Sequence, residues 1–186
     1  MSVINLQVEA EIKVKVSDLN IITQRIRDLG GVLLYEEEQV DTYFNHPERS
    51  FKTTDEALRL RKADGKVMLT YKGPKLSLRS KARTELEVEV SNFDGIREIL
   101  KALGFVELAT IKKKRRTYNL HDLIVYADEV KGLGSYVELE TKAQSVEDVA
   151  KAEELLLEAI RRLELPLNEA TTKSYLELYL EASKNC

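Results

Sequence analysis

The chain has 186 residues, 43% of them hydrophobic and 33% charged, and its 29 Lys and Arg against 32 Asp and Glu give a net charge of -3. This length and apolar content predict one domain over residues 1–186, and the single cysteine, Cys186, excludes a disulfide framework and a thiolate metal site. The negative charge argues against a protein that binds nucleic acid over its whole surface, and no apolar run approaches the roughly 20 residues of a membrane span.

The first predicted element of the chain is a strand. The opening residues, MSVINLQVEAEIK, carry acids where a secretion signal needs an apolar stretch, so we expect a cytoplasmic protein. Positions 8–16, VEAEIKVKV, alternate aliphatic and charged residues, which predicts a strand with two different faces. Ser17 then resembles an N-cap, and the helix that it begins should end at Gly30-Gly31. Further strands are expected at about 32–44, 57–63 and 66–72, the last two joined by the hairpin turn Asp64-Gly65.

The same order of elements starts again at residue 83. RTELEVEV at 83–90 predicts another strand, and Ser91-Asn92 can cap a helix that Gly104 ends. Further strands are expected at about 105–119, 122–130 and 136–142. At an offset of 74 residues, eight of the 22 positions from 11 to 32 are identical in the two halves. We interpret this as a duplicated strand–helix–strand–hairpin unit, with pseudo-repeats at about 8–72 and 83–142.

Two helices are expected at the end of the chain, within about 145–183. Ser145 should cap the first, whose apolar residues form one stripe, and the second should cover about 172–183. The loops at about 45–56 and 73–82 are expected to be the most mobile segments. The sequence therefore predicts an α+β fold with about eight strands and three or four helices.

One face of most predicted strands is aliphatic, and the other is charged with both signs. An open antiparallel sheet with its charged face in water would explain this pattern. The helices, however, need an apolar sheet face to cover. An eight-stranded antiparallel barrel with helices packed outside would satisfy them and would point the charges inward. Because an unpaired buried ion costs several kcal/mol, such a lumen must hold water, paired charges and a charged ligand, for which a polyanion with divalent cations is suitable.

Four segments together resemble a known family. Glu9-Ala10-Glu11-Ile12-Lys13 forms an E-x-E-x-K motif, followed by KKRRTY at 113–118, YADEVKGLGSYVELE at 126–140 and KSY at 173–175. This ordered set resembles the CYTH family, also called triphosphate tunnel metalloenzymes, which includes class IV adenylyl cyclases, thiamine triphosphatases and inorganic triphosphatases. The GLG segment with acids on both sides looks most like the class IV cyclases. The resemblance implies an eight-stranded tunnel that binds a small-molecule triphosphate with Mg²⁺ or Mn²⁺.

The resemblance also implies roles for individual residues. The implied metal ligands are Glu9, Glu11, Glu138 and Glu140. The implied phosphate-binding residues are Lys13, Arg59, Arg61, Lys72, Arg83, Lys113, Arg115 and Lys173. The implied catalytic residues are Lys113, Arg115 and Asp128, with Glu85 and Glu87 as supporting acids. Two further residues, Asp41 and Tyr43, are expected to be structural.

The implied chemistry leaves several functions open. A class IV adenylyl cyclase converts ATP to cyclic AMP and pyrophosphate, whereas an inorganic or thiamine triphosphatase hydrolyses a terminal phosphate. A non-catalytic module that binds polyphosphate or nucleotide is a third reading. An oligonucleotide-binding barrel would need stacking aromatic residues, but only 6% of the chain is aromatic and it has no Trp. We therefore expect a small-molecule partner, no nucleic acid and no membrane, while uncovered apolar positions on the outer face could pair two chains as a homodimer.

Overall fold

The computed structural model describes residues 8–75, 83–143 and 148–183, without the side chains at positions 8, 9, 75 and 143. The β-strands of this part of the chain are β1 (Val8–Val16), β2 (Val32–Asn45), β3 (Ala57–Ala63), β4 (Lys66–Lys75), β5 (Arg83–Val90), β6 (Val106–Leu120), β7 (Leu123–Val130), β8 (Gly134–Ala143) and β9 (Ala170–Thr171). The α-helices are α1 (Leu19–Asp28), α2 (Phe51–Thr54), α3 (Phe93–Ala102), α4 (Val149–Arg162) and α5 (Tyr175–Ala182).

All nine strands belong to one antiparallel sheet, in the order β5-β4-β3-β2-β6-β7-β8-β1-β9. A short pairing of β1 with β5, at Val8↔Thr84 and Glu9↔Arg83, connects the two ends of the eight longer strands. The expected antiparallel tunnel of eight strands is therefore confirmed, and β9 is a short addition that shares one edge of β1 with β5.

The predicted turns and helix ends mostly occur where the sequence indicated. Asp64 and Gly65 both have positive φ, 45° and 76°, as a two-residue hairpin turn requires. The N-cap of α1 is Asp18 and not the predicted Ser17, because the Asp18 carboxylate accepts a hydrogen bond from the Asn20 N–H at 2.7 Å. Asn92 caps α3 in the same way, 74 residues later, as the proposed duplication requires.

Two expectations about the connecting segments need correction, and a third lies outside the described residues. The segment 45–56 is not a loop throughout, since it contains the end of β2 and the four-residue helix α2. Residues 73–75 of the second predicted loop belong to β4, and the remainder lies outside the described residues. Ser145 also lies outside them, and the described part of α4 begins at Val149 after Asp148.

The outward faces of the strands carry the aliphatic residues and are covered by helices. In the larger cluster, Ala10 and Val14 of β1 pack with Ile26 of α1 and with Leu156 and Ile160 of α4. A second cluster lies under α3, where Leu100 packs against Phe44 and Leu60. Burial of these apolar side chains outside the sheet leaves the opposite, charged face of each strand for the lumen.

One end of the lumen is apolar, which the sequence pattern did not indicate. Tyr43, Ile111, Val130 and Tyr136 point inward there and pack against Tyr175 at the start of α5. The last helix, α5, therefore packs against this end of the tunnel. None of the described helices combines the length and apolar character needed to cross a membrane.

Candidate functional site

The lumen contains a large cavity of about 1230 Å³. The residues predicted from the sequence that line it are Glu11, Lys13, Arg59, Arg61, Lys72, Arg83, Glu85, Glu87, Lys113, Arg115, Glu138 and Glu140. Many of these charged side chains are buried, and Lys13 is only 1% exposed. The side chain of Glu9 lies outside the described part of the structure.

Three carboxylates form a group that could hold a divalent cation. β1 and β8 are neighbours with the register Glu11↔Glu140, and Glu138 lies two residues before Glu140 on the same face. One carboxylate oxygen from each of the three lies within 4.8 Å of the others. Carboxylate oxygens are the ligands that Mg²⁺ and Mn²⁺ prefer, so this donor set fits such an ion.

Glu138 also belongs to an ion-pair network with two cations. Its carboxylate pairs with the ammonium of Lys13, and Arg115 Nη2 lies 3.2 Å from its other oxygen. Burial lowers the pKa of Lys13, but the charges of Glu138 and Glu11 outweigh it, so the pKa of Lys13 is raised. Lys13 therefore remains a cation next to the three carboxylates. Because all four side chains line the same cavity, Lys13 can contact an anion bound there.

Arg115 is held by two further neighbours. Its Nε and Nη2 donate to the two oxygens of Asp128 at 2.7 and 2.5 Å, and its guanidinium carbon lies 3.9 Å from the ring centroid of Tyr126. Burial raises the pKa of Asp128, but Arg115 and Lys113 more than compensate, so it is lowered overall. Asp128 is therefore an ionised carboxylate in a bidentate pair with Arg115.

Arg61 of β3 is paired in the same manner. Its Nε and Nη2 donate to the two oxygens of Asp41 at 2.6 and 2.8 Å. Despite burial, the charges of Arg61 and Lys113 hold the pKa of Asp41 far below its usual value. Two N–H donors of Arg61 are thus already used by the protein, and Asp41 is their buried acceptor.

Arg59, Arg83 and Lys113, by contrast, retain donors for a ligand. Within the described residues, the buried Nε atoms of Arg59 and Arg83 have no hydrogen-bond partner. The nearest carboxylate oxygen that pairs with Lys113 Nζ belongs to Asp41 and is 3.7 Å away, beyond hydrogen-bonding distance. Buried donors without partners carry a free-energy cost, which an anion between them would remove.

Four predicted residues remain, and three of them, Lys72, Glu85 and Glu87, line the cavity. Lys72 forms an ion pair with Glu85, and Thr70 connects Arg59 to Glu87, so each of the two predicted supporting acids lies beside a basic residue. Lys173 is not among the residues that line the cavity, and its half-exposed ammonium pairs at 2.7 Å with Glu181 of α5, which does line it.

Two tyrosines of the site were not assigned from the sequence. Tyr126 donates a hydrogen bond to Glu140 at 3.2 Å, and Tyr175 donates one to Asp128 at 2.6 Å. Tyr126 shares the strand face of Asp128, two residues away, so strand alternation could have identified it. Tyr175 is the last residue of the KSY segment, but nothing local in the sequence indicated where its side chain points.

Comparisons with known proteins agree with this geometry. The CYTH domain family matches residues 7–175. The chain is 40% identical over 171 residues to "Putative adenylate cyclase MJ0240" of Methanocaldococcus jannaschii, covering 92% of this chain and 98% of that protein. It is 27% identical over 173 residues to "Adenylate cyclase CyaB" of Aeromonas hydrophila, covering 91% and 87%.

A solved structure has the same fold. PH1819 of Pyrococcus horikoshii OT3 superposes with a TM-score of 0.86 at 37% identity and covers 93% of this chain and 98% of its own. The family match extends over almost the whole described tunnel, from the first strand to the first residue of α5. The chain therefore belongs to the CYTH domain family.

Proposed function

We propose that the protein is a metal-dependent enzyme that binds a triphosphate inside the tunnel, and that its reaction is the conversion of ATP to cyclic AMP and pyrophosphate. The observation that carries this proposal is the arrangement of buried cations with free donors around the same cavity as three clustered carboxylates. The adenylate cyclase names of the two relatives agree with it.

The cations of the lumen suit a linear polyanion. A triphosphate carries about four negative charges, and its reactions need that charge to be offset and its phosphates to be aligned. Arg59, Arg83 and Lys113 would donate to phosphate oxygens, while Lys13 would contact a phosphate next to Glu138. Because these groups are buried, their interactions with the substrate are stronger than they would be in water.

The acidic group would supply the metal site. Glu11, Glu138 and Glu140 would hold Mg²⁺ or Mn²⁺, and a bound divalent ion offsets charge on phosphate oxygens and lowers the pKa of a coordinated hydroxyl. In the cyclase reaction the ribose 3′-oxygen bonds to the α-phosphorus, the bond to the β-phosphate breaks, and pyrophosphate leaves with that electron pair. The proton of the 3′-hydroxyl passes to a base or to water.

Hydrolysis of a terminal phosphate, as in inorganic or thiamine triphosphatases, is the second candidate. The cations and carboxylates described above contact only the triphosphate chain in our proposal, so by themselves they do not select a nucleoside. A substrate such as tripolyphosphate would use the same donors and the same metal ligands.

Product analysis separates the two reactions. The protein is incubated with ATP, tripolyphosphate or thiamine triphosphate, each with Mg²⁺ or Mn²⁺, and the products are identified by chromatography. Cyclic AMP with pyrophosphate supports the cyclase, and inorganic phosphate supports the hydrolase. Metal-dependent binding without any product would contradict both and favour a binding module.

Matched variants connect the activity to the tunnel. Lys113→Ala should abolish turnover, whereas Lys114→Ala should retain it, because Lys114 is the next residue of β6 and is exposed on the outer face. Equal activity of the two variants would contradict the proposed site.

A further inference from the structure

The start of α5 is fixed against the tunnel by two interactions. β9, which precedes the helix, pairs with β1 at Lys13↔Thr171. Ser174 then forms a capping box, in which its hydroxyl accepts the Glu177 N–H at 3.1 Å and the Glu177 carboxylate accepts the Ser174 N–H at 2.6 Å. These contacts determine the direction of Tyr175, the first residue of the helix.

Tyr175 is directed into the charged network of the lumen. Its hydroxyl donates to Asp128 Oδ2 at 2.6 Å, and its ring centroid lies 4.2 Å from Lys13 Nζ and 4.8 Å from Lys113 Nζ. Burial and the nearby charge of Asp128 raise the pKa of Tyr175, so the phenol remains a donor at neutral pH. The ring face is a favourable neighbour for both ammonium groups.

The hydroxyl of Tyr175 is linked to the candidate metal ligands through two residues. Asp128 is fully buried and accepts hydrogen bonds from both Tyr175 and Arg115. Arg115 in turn donates to Glu138, which belongs to the acidic group. Without the Tyr175 donor, the carboxylate of Asp128 would lose one of its fixed partners and could reorient, and Arg115 and Glu138 would follow.

We propose that Tyr175 is a positioning residue of the triphosphate site, through which the docked α5 helix holds Arg115, Lys13 and Lys113 in their binding arrangement. This inference rests on the proposed function. The two parts of the Tyr175 side chain have different roles. The hydroxyl orients Asp128 and, through it, Arg115 and Glu138, and the ring restricts the positions of Lys13 and Lys113.

Two substitutions separate these contributions. Tyr175→Phe removes the hydroxyl and keeps the ring, so we expect kcat to fall more than tenfold and Mn²⁺ affinity to fall several-fold, with KM changed less than threefold. Tyr175→Leu removes the ring as well, so we expect the same loss together with weaker tripolyphosphate binding and a higher KM.

The control variant is Tyr179→Phe. Tyr179 lies one turn further along α5 and packs against the same apolar cluster, and within the described residues its hydroxyl has no hydrogen-bond partner. It receives the same chemical change, so its kcat, KM and Mn²⁺ affinity should equal those of the unmodified protein. A purely structural effect of Tyr175→Phe would lower the melting temperature without changing the Mn²⁺ affinity of the folded protein.

Calorimetric titrations with Mn²⁺ and with tripolyphosphate give readouts that do not depend on turnover. If the unmodified protein binds both ligands and Tyr175→Phe behaves like Tyr179→Phe, the role of Tyr175 is refuted while the proposed function stands. If the unmodified protein binds neither ligand, the proposed function fails and this inference fails with it. Selective loss of kcat and Mn²⁺ affinity in Tyr175→Phe supports the inference.

Discussion

The ammonium group of Lys113 should change its protonation when a triphosphate enters the tunnel. Burial, and then the charges of Arg115 and Arg61, lower the pKa of Lys113 from 10.5 to about 7, although Asp128 and Asp41 act in the opposite direction. A bound polyanion would favour the charged form and raise this pKa again. We therefore predict that binding of tripolyphosphate at pH 8 is accompanied by uptake of about one proton.

The expected change in affinity with pH follows from the lowered pKa of Lys113. If the bound anion returns the pKa of Lys113 to its usual value, affinity should fall about 50-fold from pH 7 to pH 9, with a slope that approaches tenfold per pH unit only above about pH 8. The stability of the free protein should change with pH in the opposite direction to the affinity. Between pH 7 and 10 the unfolded chain binds a proton at Lys113 that the folded chain lacks, so the free energy of unfolding should rise with pH.

Titration calorimetry in two buffers with different ionisation enthalpies measures the proton uptake directly. Lys113→Met should abolish the uptake, because methionine has a similar length and no charge. Lys114→Met, a change on the outer face of the same strand, should leave it intact. Comparison of these variants at one pH also cancels the titration of tripolyphosphate itself.

Two results would refute this reasoning about Lys113. One is proton uptake by Lys113→Met equal to that of the unmodified protein. The other is an affinity of the unmodified protein that changes with pH no more than that of Lys113→Met. Either result would mean that Lys113 does not change its protonation when the anion binds.

Three other predictions concern separate parts of the structure. Glu138→Gln should weaken Mn²⁺ binding at least tenfold in calorimetric titrations, whereas Glu129→Gln, on the exposed outer face, should not; equal affinities would contradict the metal site. Asp41→Asn should lower the free energy of unfolding in urea by about 3–5 kcal/mol, because it leaves Arg61 buried without its anion; a loss below about 1 kcal/mol would contradict this role. Arg83→Met should weaken tripolyphosphate binding about tenfold, corresponding to one charge-assisted hydrogen bond, without lowering the melting temperature.

The different partners of Arg59 and Arg61 could not be predicted from the sequence. Arg59 and Arg61 lie two residues apart on β3 and share its inward face, so the sequence predicted the same role for both. The register of β2 against β3 places Asp41 opposite Arg61, which provides Arg61 with a bidentate partner. Arg59 instead contacts Thr70 and retains a free Nε.

The orientation of the KSY segment at 173–175 is a second feature that the sequence alone did not reveal. The KSY segment suggested that Lys173 faces the tunnel, but the capping box at Ser174 and the pairing of β9 with β1 direct Tyr175 there instead. Lys173 remains at the surface with Glu181. The capping box is a local S-x-x-E pattern, but the pairing of β9 with β1 joins residues far apart in the chain, and no local pattern indicates it.

The sequence by itself determined the eight longer strands, their two faces, the hairpin at Asp64-Gly65 and the set of charged residues, because alternation and turn chemistry are local properties of the chain. Only the tertiary structure decided that the charged faces enclose one cavity, since this depends on helices covering the outer faces and on the pairing of β1 with β5. It also decided which cations are paired and which remain available for an anion, because that depends on strand register and on distances of a few ångströms between side chains.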